Sequence, residues 1–375
     1  MKPIRPLLAL GILALFVIVI GRAATDPVVF TFATVGDSRQ DPEAINLSGA
    51  DRLWLQNTRV LARILREIAQ QQPHALFFNG DLIFGYTTNR PTLDRQYAYW
   101  RGMVAELGER GVCVLPVPGN HEVQLKTKLP SGDVLKTACL PGEIAWRDNM
   151  GDLILDTNRW HAAHHAVPAA WSVEHAPRIG QDDVQTDQRQ LSYSFDFADL
   201  HFAVVNTDAV GADSHAPVRW LTEDLTAAQA RGVKRQFVFG HKMAFTYHYS
   251  DKTKPKGLDV FPEHQHAFWR VMEEFAATYF CGHEHIYHAM QPTAASGGRA
   301  WQVIVGAGGS PFEAKPGDSA NLNDRQYSWA LVKVHRSGRV VMEVSGFDEN
   351  FGPTHRLESI ELNGPTQPLL ARSSH

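Results

Sequence analysis

Five polar clusters, each closing a short apolar run, hold residue types that bind metal ions and move protons: Asp37 with Arg39, Asp81, Asn120 with His121, His241, and His283 with His285. Carboxylate, amide and imidazole donors without a thiolate suit Zn, Mn or Fe better than a sulfur-rich structural zinc site. A carboxylate that bridges two cations can hold them ~3.5–4 Å apart, the spacing used to activate water and brace a phosphoryl group. A lone Asp or His after a strand is ordinarily a turn residue or a helix cap. Five such clusters in series carry more weight than any one of them. Histidine abundance adds little, because only four of the 18 histidines stand in the clusters.

The runs that deliver these clusters read as strands buried on both faces. Val28 to Val35, Ala75 to Phe78, Val112 to Val117, Gln236 to Phe239 and Thr278 to Cys281 are predominantly apolar, the pattern of a sheet covered by helices. Between them lie helical stretches. Residues 57–72 place Val60, Leu61, Ile64, Leu65 and Ile68 on one face and stop before Pro73. Further helices are expected near 94–109, 217–231 and 264–276. In such β-α-β sheets, ligands gather at the carboxyl ends of the strands, and the polar clusters fall there. Ser192 to Asp196 and Leu200 to Asn206 read as a hairpin around Ala198-Asp199. Strands near 301–305, 329–334 and 339–344 suggest a second, more antiparallel sheet. The expected fold is α/β, a two-sheet mixed β-sandwich flanked by helices, forming one domain over 26–362. Residues 124–190 break the rhythm and read as an insertion or cap beside the site, and the Pro-, Ser- and Gly-containing tail 363–375 reads as loose.

In chain order the clusters spell Gly36-Asp37-Ser38-Arg39, Gly80-Asp81, Gly119-Asn120-His121-Glu122, Gly240-His241 and Gly282-His283-Glu284-His285. Over about residues 28–310 this series resembles the calcineurin-like metallophosphoesterase superfamily, with its Asp-x-His, Gly-Asp, Gly-Asn-His-Asp/Glu, Gly-His and Gly-His-x-His motifs. Tyr193-Ser-Phe-Asp196, Leu200-His-Phe-Ala203, Gly282-His-Glu-His-Ile-Tyr287 and Gly306-Ala-Gly-Gly309 look most like the purple acid phosphatase branch. The resemblance implies a calcineurin-like metallophosphoesterase fold with two metal ions, whether Mn, Zn or Fe, bridged by Asp81. Asn120, His241 and His283 would complete one site, and Asp37 and His285 would serve the other. His121 would donate a proton to the leaving oxygen or stabilise transition-state charge. A hydroxide held by the metals would attack phosphorus in line.

One position departs from the pattern. Arg39 stands where many relatives carry a ligating His, and Phe84 stands where purple acid phosphatases carry a Tyr three residues after the bridging Asp. Tyr86 is two residues out of register. One metal site therefore lacks a protein ligand, and an iron–tyrosinate chromophore is not expected. Arg stays protonated and does not ligate, but its forked donors suit a phosphate oxygen. Two readings stand: Arg39 binds substrate phosphate while water fills the vacant position, or Arg39 is an ion-pair partner of Asp37 or Glu122.

The rest of the chain bounds these readings. With 36 Lys+Arg against 40 Asp+Glu, nothing argues for nucleic acid or an anionic membrane surface, and 44% hydrophobic residues exclude disorder. Lys2 and Arg5, the apolar run 7–20 and the small residues around Ala23 match a secretory signal over 1–23. The run is shorter than the ~20 residues of a comfortable membrane span, so a cleaved signal is preferred over an N-terminal anchor, and either exports the domain to the periplasm or beyond. Cys113 and Cys139 would be able to pair there; three buried free thiols, with Cys281, is the other reading. His161, His164 and His165 are candidates for the site mouth or for solvated surface. His201 reads as packing and Asp208 as a turn residue; His248, His264, His266 and His288 stay unassigned. Ser192 and Ser194 lack the context of a serine nucleophile. The reading is an exported phosphomonoesterase acting on small phosphorylated substrates. A phosphodiesterase or pyrophosphatase on the same site is the alternative, as is a binding protein weakened by the lost ligand.

Overall fold

The computed structural model describes residues 26–43, 48–250 and 253–362, so the expected signal at 1–23 and the tail 363–375 lie outside the described residues. Two six-stranded sheets stack face to face. In the first, β1 (Val28–Val35), β2 (Ala75–Phe78) and β3 (Cys113–Pro116) run parallel. On the other side of β1 the antiparallel strands β14 (Tyr327–His335), β15 (Val340–Phe347) and β16 (His355–Glu361) follow in turn. The second sheet holds a parallel centre of β7 (Leu200–Val204), β10 (Arg235–Phe239), β11 (Thr278–Cys281) and β13 (Trp301–Val305). The strands β6 (Tyr193–Phe197) and β12 (Tyr287–Met290) close it antiparallel at either edge.

The two-layer mixed sandwich is as expected, but the C-terminal strands are distributed differently. Residues 301–305 extend the second sheet in parallel beside β11, whereas 329–334 and 339–344 lie in β14 and β15 of the first sheet. The physical reason lies at β1. Its parallel pairing with β2 leaves one edge bare, and an unpaired edge in a core is costly. The buried run Trp329–Val332 of β14 covers that edge.

Aromatic side chains fill the space between the sheets. The rings of Phe77 and Phe239 stack at 3.8 Å, and Phe32 meets Phe202, Phe237, Phe239 and Phe280 edge-on. Each fully buried Phe contributes roughly 1.5–3 kcal/mol of burial, so truncating Phe32 costs about 3–5 kcal/mol. Outside the first sheet pack α2 (Thr58–Gln71), α3 (Arg90–Glu109) and α5 (Leu140–Met150); outside the second pack α7 (Val218–Ala230) and α8 (Pro262–Glu274). Helix α2 buries the five residues foreseen, is capped by the Asn57 side chain on the Val60 amide, and ends at Gln72 before Pro73. Helix α3 starts four residues earlier than expected because Asn89 caps it and Pro91 fits its first turn.

The 124–190 stretch is not a single cap. The hairpin of β4 (Gln124–Lys128) and β5 (Val134–Ala138) lies at the carboxyl ends of the strands, and α5 leans on α3. By contrast, α6 (Thr157–His164) drives Trp160 into the inter-sheet core beside Phe195 and Phe197. His164 faces the His74 carbonyl and Cys113 at the amino ends of β2 and β3, and His161 and His165 are exposed. These histidines do not line the site mouth, because α6 packs at the opposite end of the strands. All three cysteines are free. Cys113 opens β3 at that far end while Cys139 caps α5 beside Val123, so the two thiols do not pair. Among the described residues no helix is long and apolar enough to cross a membrane.

Candidate metal centre

Every ligating position lies where a parallel strand stops and the chain turns sharply. Asp37 follows β1, Asp81 follows β2, Asn120 and His121 open the short helix α4 (Asn120–Val123) after β3, and His241 follows β10. His283 and His285 follow β11. Asp37, Asp81 and His283 adopt left-handed backbone with φ of 60°, 51° and 69°. The turns also bring backbone against side chain. A Cβ at Gly80 would stand 2.4 Å from His241 Nδ1, and one at Gly282 would stand 2.3 Å from Asp37 Oδ2, so only glycine fits. Glu122 ties the turns together: its Oε2 accepts the Gly119 and Asp81 amides at 2.7 and 3.0 Å, and its Oε1 accepts the Ile83 amide at 3.0 Å. Burial and the neighbouring Asp81 push its pKa up to about 7.

Two ligand groups result, Asp81 with His241 and His283, and Asp37 with Asp81 and His285. Within each group the donor atoms lie within 4.8 Å of one another. Asp81 belongs to both, as a bridging carboxylate must. Hydrogen bonds fix which imidazole atoms face inward. His241 Nδ1 lies 2.8 Å from the Asn79 carbonyl and His285 Nδ1 lies 2.6 Å from the Pro311 carbonyl. A carbonyl only accepts, so each Nδ1 carries the proton and each Nε2 lone pair points into the site. His241 Nε2 then meets Asp81 Oδ1 at 3.1 Å, Asn120 Oδ1 at 3.0 Å and His283 Nδ1 at 3.0 Å. Asn120 spends its amide N–H on the Tyr86 hydroxyl, which turns its oxygen toward His241. Asp37 Oδ1 is buried with no hydrogen-bond partner.

More acceptors than protons converge here, and the donor set fits a pair of cations. A buried acceptor without a donor costs about 1–3 kcal/mol, and a shared cation would satisfy several at once. The titration directions agree. Burial alone would depress His241, but the Asp81 and Asp37 carboxylates outweigh it and push its pKa up to about 9, so the site favours positive charge at this point. Burial lifts Asp37 well above the usual carboxylate range, whereas His121, His241 and Arg39 overcome burial at Asp81 and hold it well below. Burial lowers His121 and His283, and burial with the Arg39 charge lowers His285 to about 4.

His121 Nε2 lies 3.7 Å from Asp81 Oδ2, with its Nδ1 held by the Phe84 carbonyl. Arg39 reaches into the same space: Nε is 3.8 Å from Asp81 Oδ2 and has no hydrogen-bond partner, and Nη2 is 3.4 Å from His285 Nε2. The ion pair foreseen with Asp37 or Glu122 is therefore not made. The nearest carboxylate is the bridging one, because Glu122 is consumed by three backbone amides. All eight residues singled out in the sequence meet in this one site.

Other participants were not legible. Tyr86 enters from outside its expected register: Gly85 and Tyr86 both adopt left-handed backbone, with φ of 54° and 53°, and swing the ring to 3.8 Å from that of His121. The glycine was the available signal. Asp208, read as a turn residue, is buried and pairs with Lys242 at 2.5 Å, while Gln124 and the Ser214 amide bind the same oxygen at 3.0 Å. A lysine directly after Gly240-His241 could have suggested a buried partner. Glu284 is likewise buried, accepting the Tyr247 amide at 2.8 Å with Lys256 at 3.3 Å. His264 packs at a tilt against His215, His288 stacks on Tyr247, and both stand outside the ligand groups. His201 proves to be more than packing, as it bridges Asp196 and Asp224.

A family model described as calcineurin-like phosphoesterase matches residues 31–287. Among solved structures, purple acid phosphatase PPD1 from yellow lupin (Lupinus luteus) seeds matches with a TM-score of 0.52 and 13% identity, covering 90% of this chain. The chain spans only 54% of that protein's length. A structure titled PhoD matches with a TM-score of 0.51 and 12% identity, over 90% of this chain and 73% of the other. A dimetal phosphatase from Danio rerio matches at 0.46 and 14% identity, over 90% and 99%. No curated protein matches the sequence.

Proposed function

The chain belongs to the calcineurin-like phosphoesterase family and is a hydrolase acting on phosphoric esters, and on that premise we propose that it is a phosphomonoesterase of small substrates working with two metal ions. The observation that carries the reading is Asp81, shared by two buried ligand groups at adjoining strand ends. Asp81, Asn120, His241 and His283 would hold one cation, and Asp37, Asp81 and His285 the other. When bound, the cations would supply an acidified water and neutralise phosphoryl oxygens. The chain's own residues do the rest. Arg39, whose Nε has no hydrogen-bond partner, binds a phosphoryl oxygen. His121 presents Nε2 toward the leaving oxygen, its ring oriented by the Phe84 carbonyl and the Tyr86 ring. Glu122 fixes the Asp81 turn and keeps the bridging carboxylate aimed inward. The leader-like residues 1–23 support export, with the domain facing outside the cytoplasm whether or not they are removed.

The test is turnover of p-nitrophenyl phosphate against bis-p-nitrophenyl phosphate after chelation and reloading with Mn or Zn. The monoester should be hydrolysed faster, with Asp81→Asn abolishing the rate. Faster diester turnover would select the phosphodiesterase reading, and no turnover, or turnover indifferent to Asp81→Asn, would remove the enzymatic one.

A further inference from the structure

The β4–β5 hairpin sets positive charge against positive charge. Lys126 and Lys136 are direct cross-strand partners in its antiparallel register, so their side chains leave the same face. Like charges placed opposite each other weaken a two-stranded ribbon, and this ribbon stands as a sheet of its own. Gln124, two residues before Lys126, shares that face and reaches Asp208 and Asp213 at 3.0 and 2.8 Å. The lysine-bearing face is thus turned toward the metal centre. The Lys136 ammonium lies 4.9 Å from the centroid of the Tyr86 ring, which also packs against the His121 ring.

Nearby acids do not neutralise these lysines. Asp208 is taken by Lys242 and Gln124, Asp213 accepts Gln124 and the Ala138 amide, and Glu122 holds three backbone amides. Among the described residues neither Lys126 nor Lys136 has a carboxylate within 4 Å. Burial, together with the charges of Arg39, Lys126 and Lys242 and against the attraction of the more distant Asp81, lowers the pKa of Lys136. A cation held over an aromatic ring beside the proton-donating His, opposed by a second lysine and left without a counter-ion, fits an anion that arrives with the substrate.

We propose that Lys136, backed by Lys126, forms an anion subsite for the part of the substrate that is not attacked, so that the preferred substrates carry a second anionic group, phosphate or carboxylate, on the leaving side. The subsite deepens the phosphoesterase reading, since His121 marks the leaving side only if that reading holds. The geometry places the second anion beside the Tyr86 ring, which Lys136 shares with His121. It also gives the stretch between α4 and α5 a role in selecting substrates.

Calorimetric binding to the metal-loaded protein tests this without turnover, using methylphosphonate, methylenebisphosphonate and phosphonoacetate as probes. Methylenebisphosphonate should bind about tenfold more tightly than methylphosphonate, as expected for one added charge-assisted contact. Phosphonoacetate tells whether a carboxylate serves as well as a second phosphoryl group. Lys136→Met should remove most of the advantage, Lys136→Arg should retain it, and Lys126→Gln should reduce it in part. Equal affinity for the single- and double-anion probes, no binding of any probe, or an advantage untouched by Lys136→Met would overturn the subsite. If the advantage persists while no phosphoric ester is hydrolysed, the catalytic reading fails and the subsite stands.

Discussion

His201 and His241 are both fully buried imidazoles flanked by carboxylates, yet their surroundings are complete in one case and incomplete in the other. His201 gives Nδ1 to Asp196 at 2.7 Å and Nε2 to Asp224 at 2.8 Å. Asp196 also takes Arg231 Nε at 2.6 Å and Nη2 at 2.9 Å, while Asp224 also takes the Ser194 hydroxyl at 2.7 Å and His175 Nε2 at 2.8 Å. Each acceptor there has its donor. His241 gives one N–H to a carbonyl and turns its other nitrogen on two oxygen acceptors and the His283 ring. The same residue types therefore serve two ends: the matched network braces β6, β7 and α7, and the unmatched one offers the donor atoms that a cation would take. What separates them is the balance of protons and lone pairs.

Removing a member of each cluster breaks the comparison in opposite directions. Asp224→Ala strands a buried His201 charge, so it should cost about 3–5 kcal/mol in urea unfolding, with activity per folded molecule retained. A loss below ~1 kcal/mol would show that the network contributes little. Asp81→Asn should reverse that profile, lowering kcat on p-nitrophenyl phosphate by more than about 100-fold, beyond what outer partners of a metal ligand supply, while urea unfolding of the metal-free protein changes little.

Titration sharpens the contrast. Burial would lower His201, but its bonds to Asp196 and Asp224 raise it, and burial would raise those two carboxylates, but their partners lower them. A raised His stabilises fully below its unfolded pKa of ~6.5 and loses that contribution as pH climbs through the folded value. The lowered carboxylates stabilise above ~3.9 and lose it as pH falls through theirs. Melting temperature should thus be highest between about pH 4 and 6.5, with Asp224→Ala flattening that maximum. Parallel curves for the two proteins would dissociate the maximum from this network. The smallest expected effect is Arg39→Ala, which should raise KM for p-nitrophenyl phosphate by about tenfold, the worth of one charged hydrogen bond. An unchanged KM would leave Arg39 as a neighbour of Asp81 only.

The strand ends were legible because two signals coincide: runs such as Ala75–Phe78, buried on both faces, and the polar residues that follow each one. Sheet membership was not. The apolar strand β14 could complete either sheet, and only the bare edge of β1 decides between them. Ligand identity was readable from order and type, but supporting contacts were hidden wherever sequence distance is large. Asp208 and Lys242 are 34 residues apart and join only through the parallel pairing of β7 and β10. Tyr86 was discounted on spacing because two successive left-handed residues undo the register that spacing assumes. His161, His164 and His165 show the converse: composition drew attention to residues that topology sends to the far end.

The left-handed backbone at Asp37, Asp81 and His283 bears on how this protein can change over generations. Asp, Asn, His and Gly tolerate that conformation, whereas β-branched and bulky residues are strained there by roughly 1–2 kcal/mol. Single replacements at these three positions are filtered by shape before their affinity for any metal is tested. Drift among oxygen and imidazole donors stays open, and so does outright loss to Asn or Gly. Thr, Val and Ile meet a stability penalty first. At Arg39, in ordinary backbone, no such filter operates, and it is there that the chain departs from the motif.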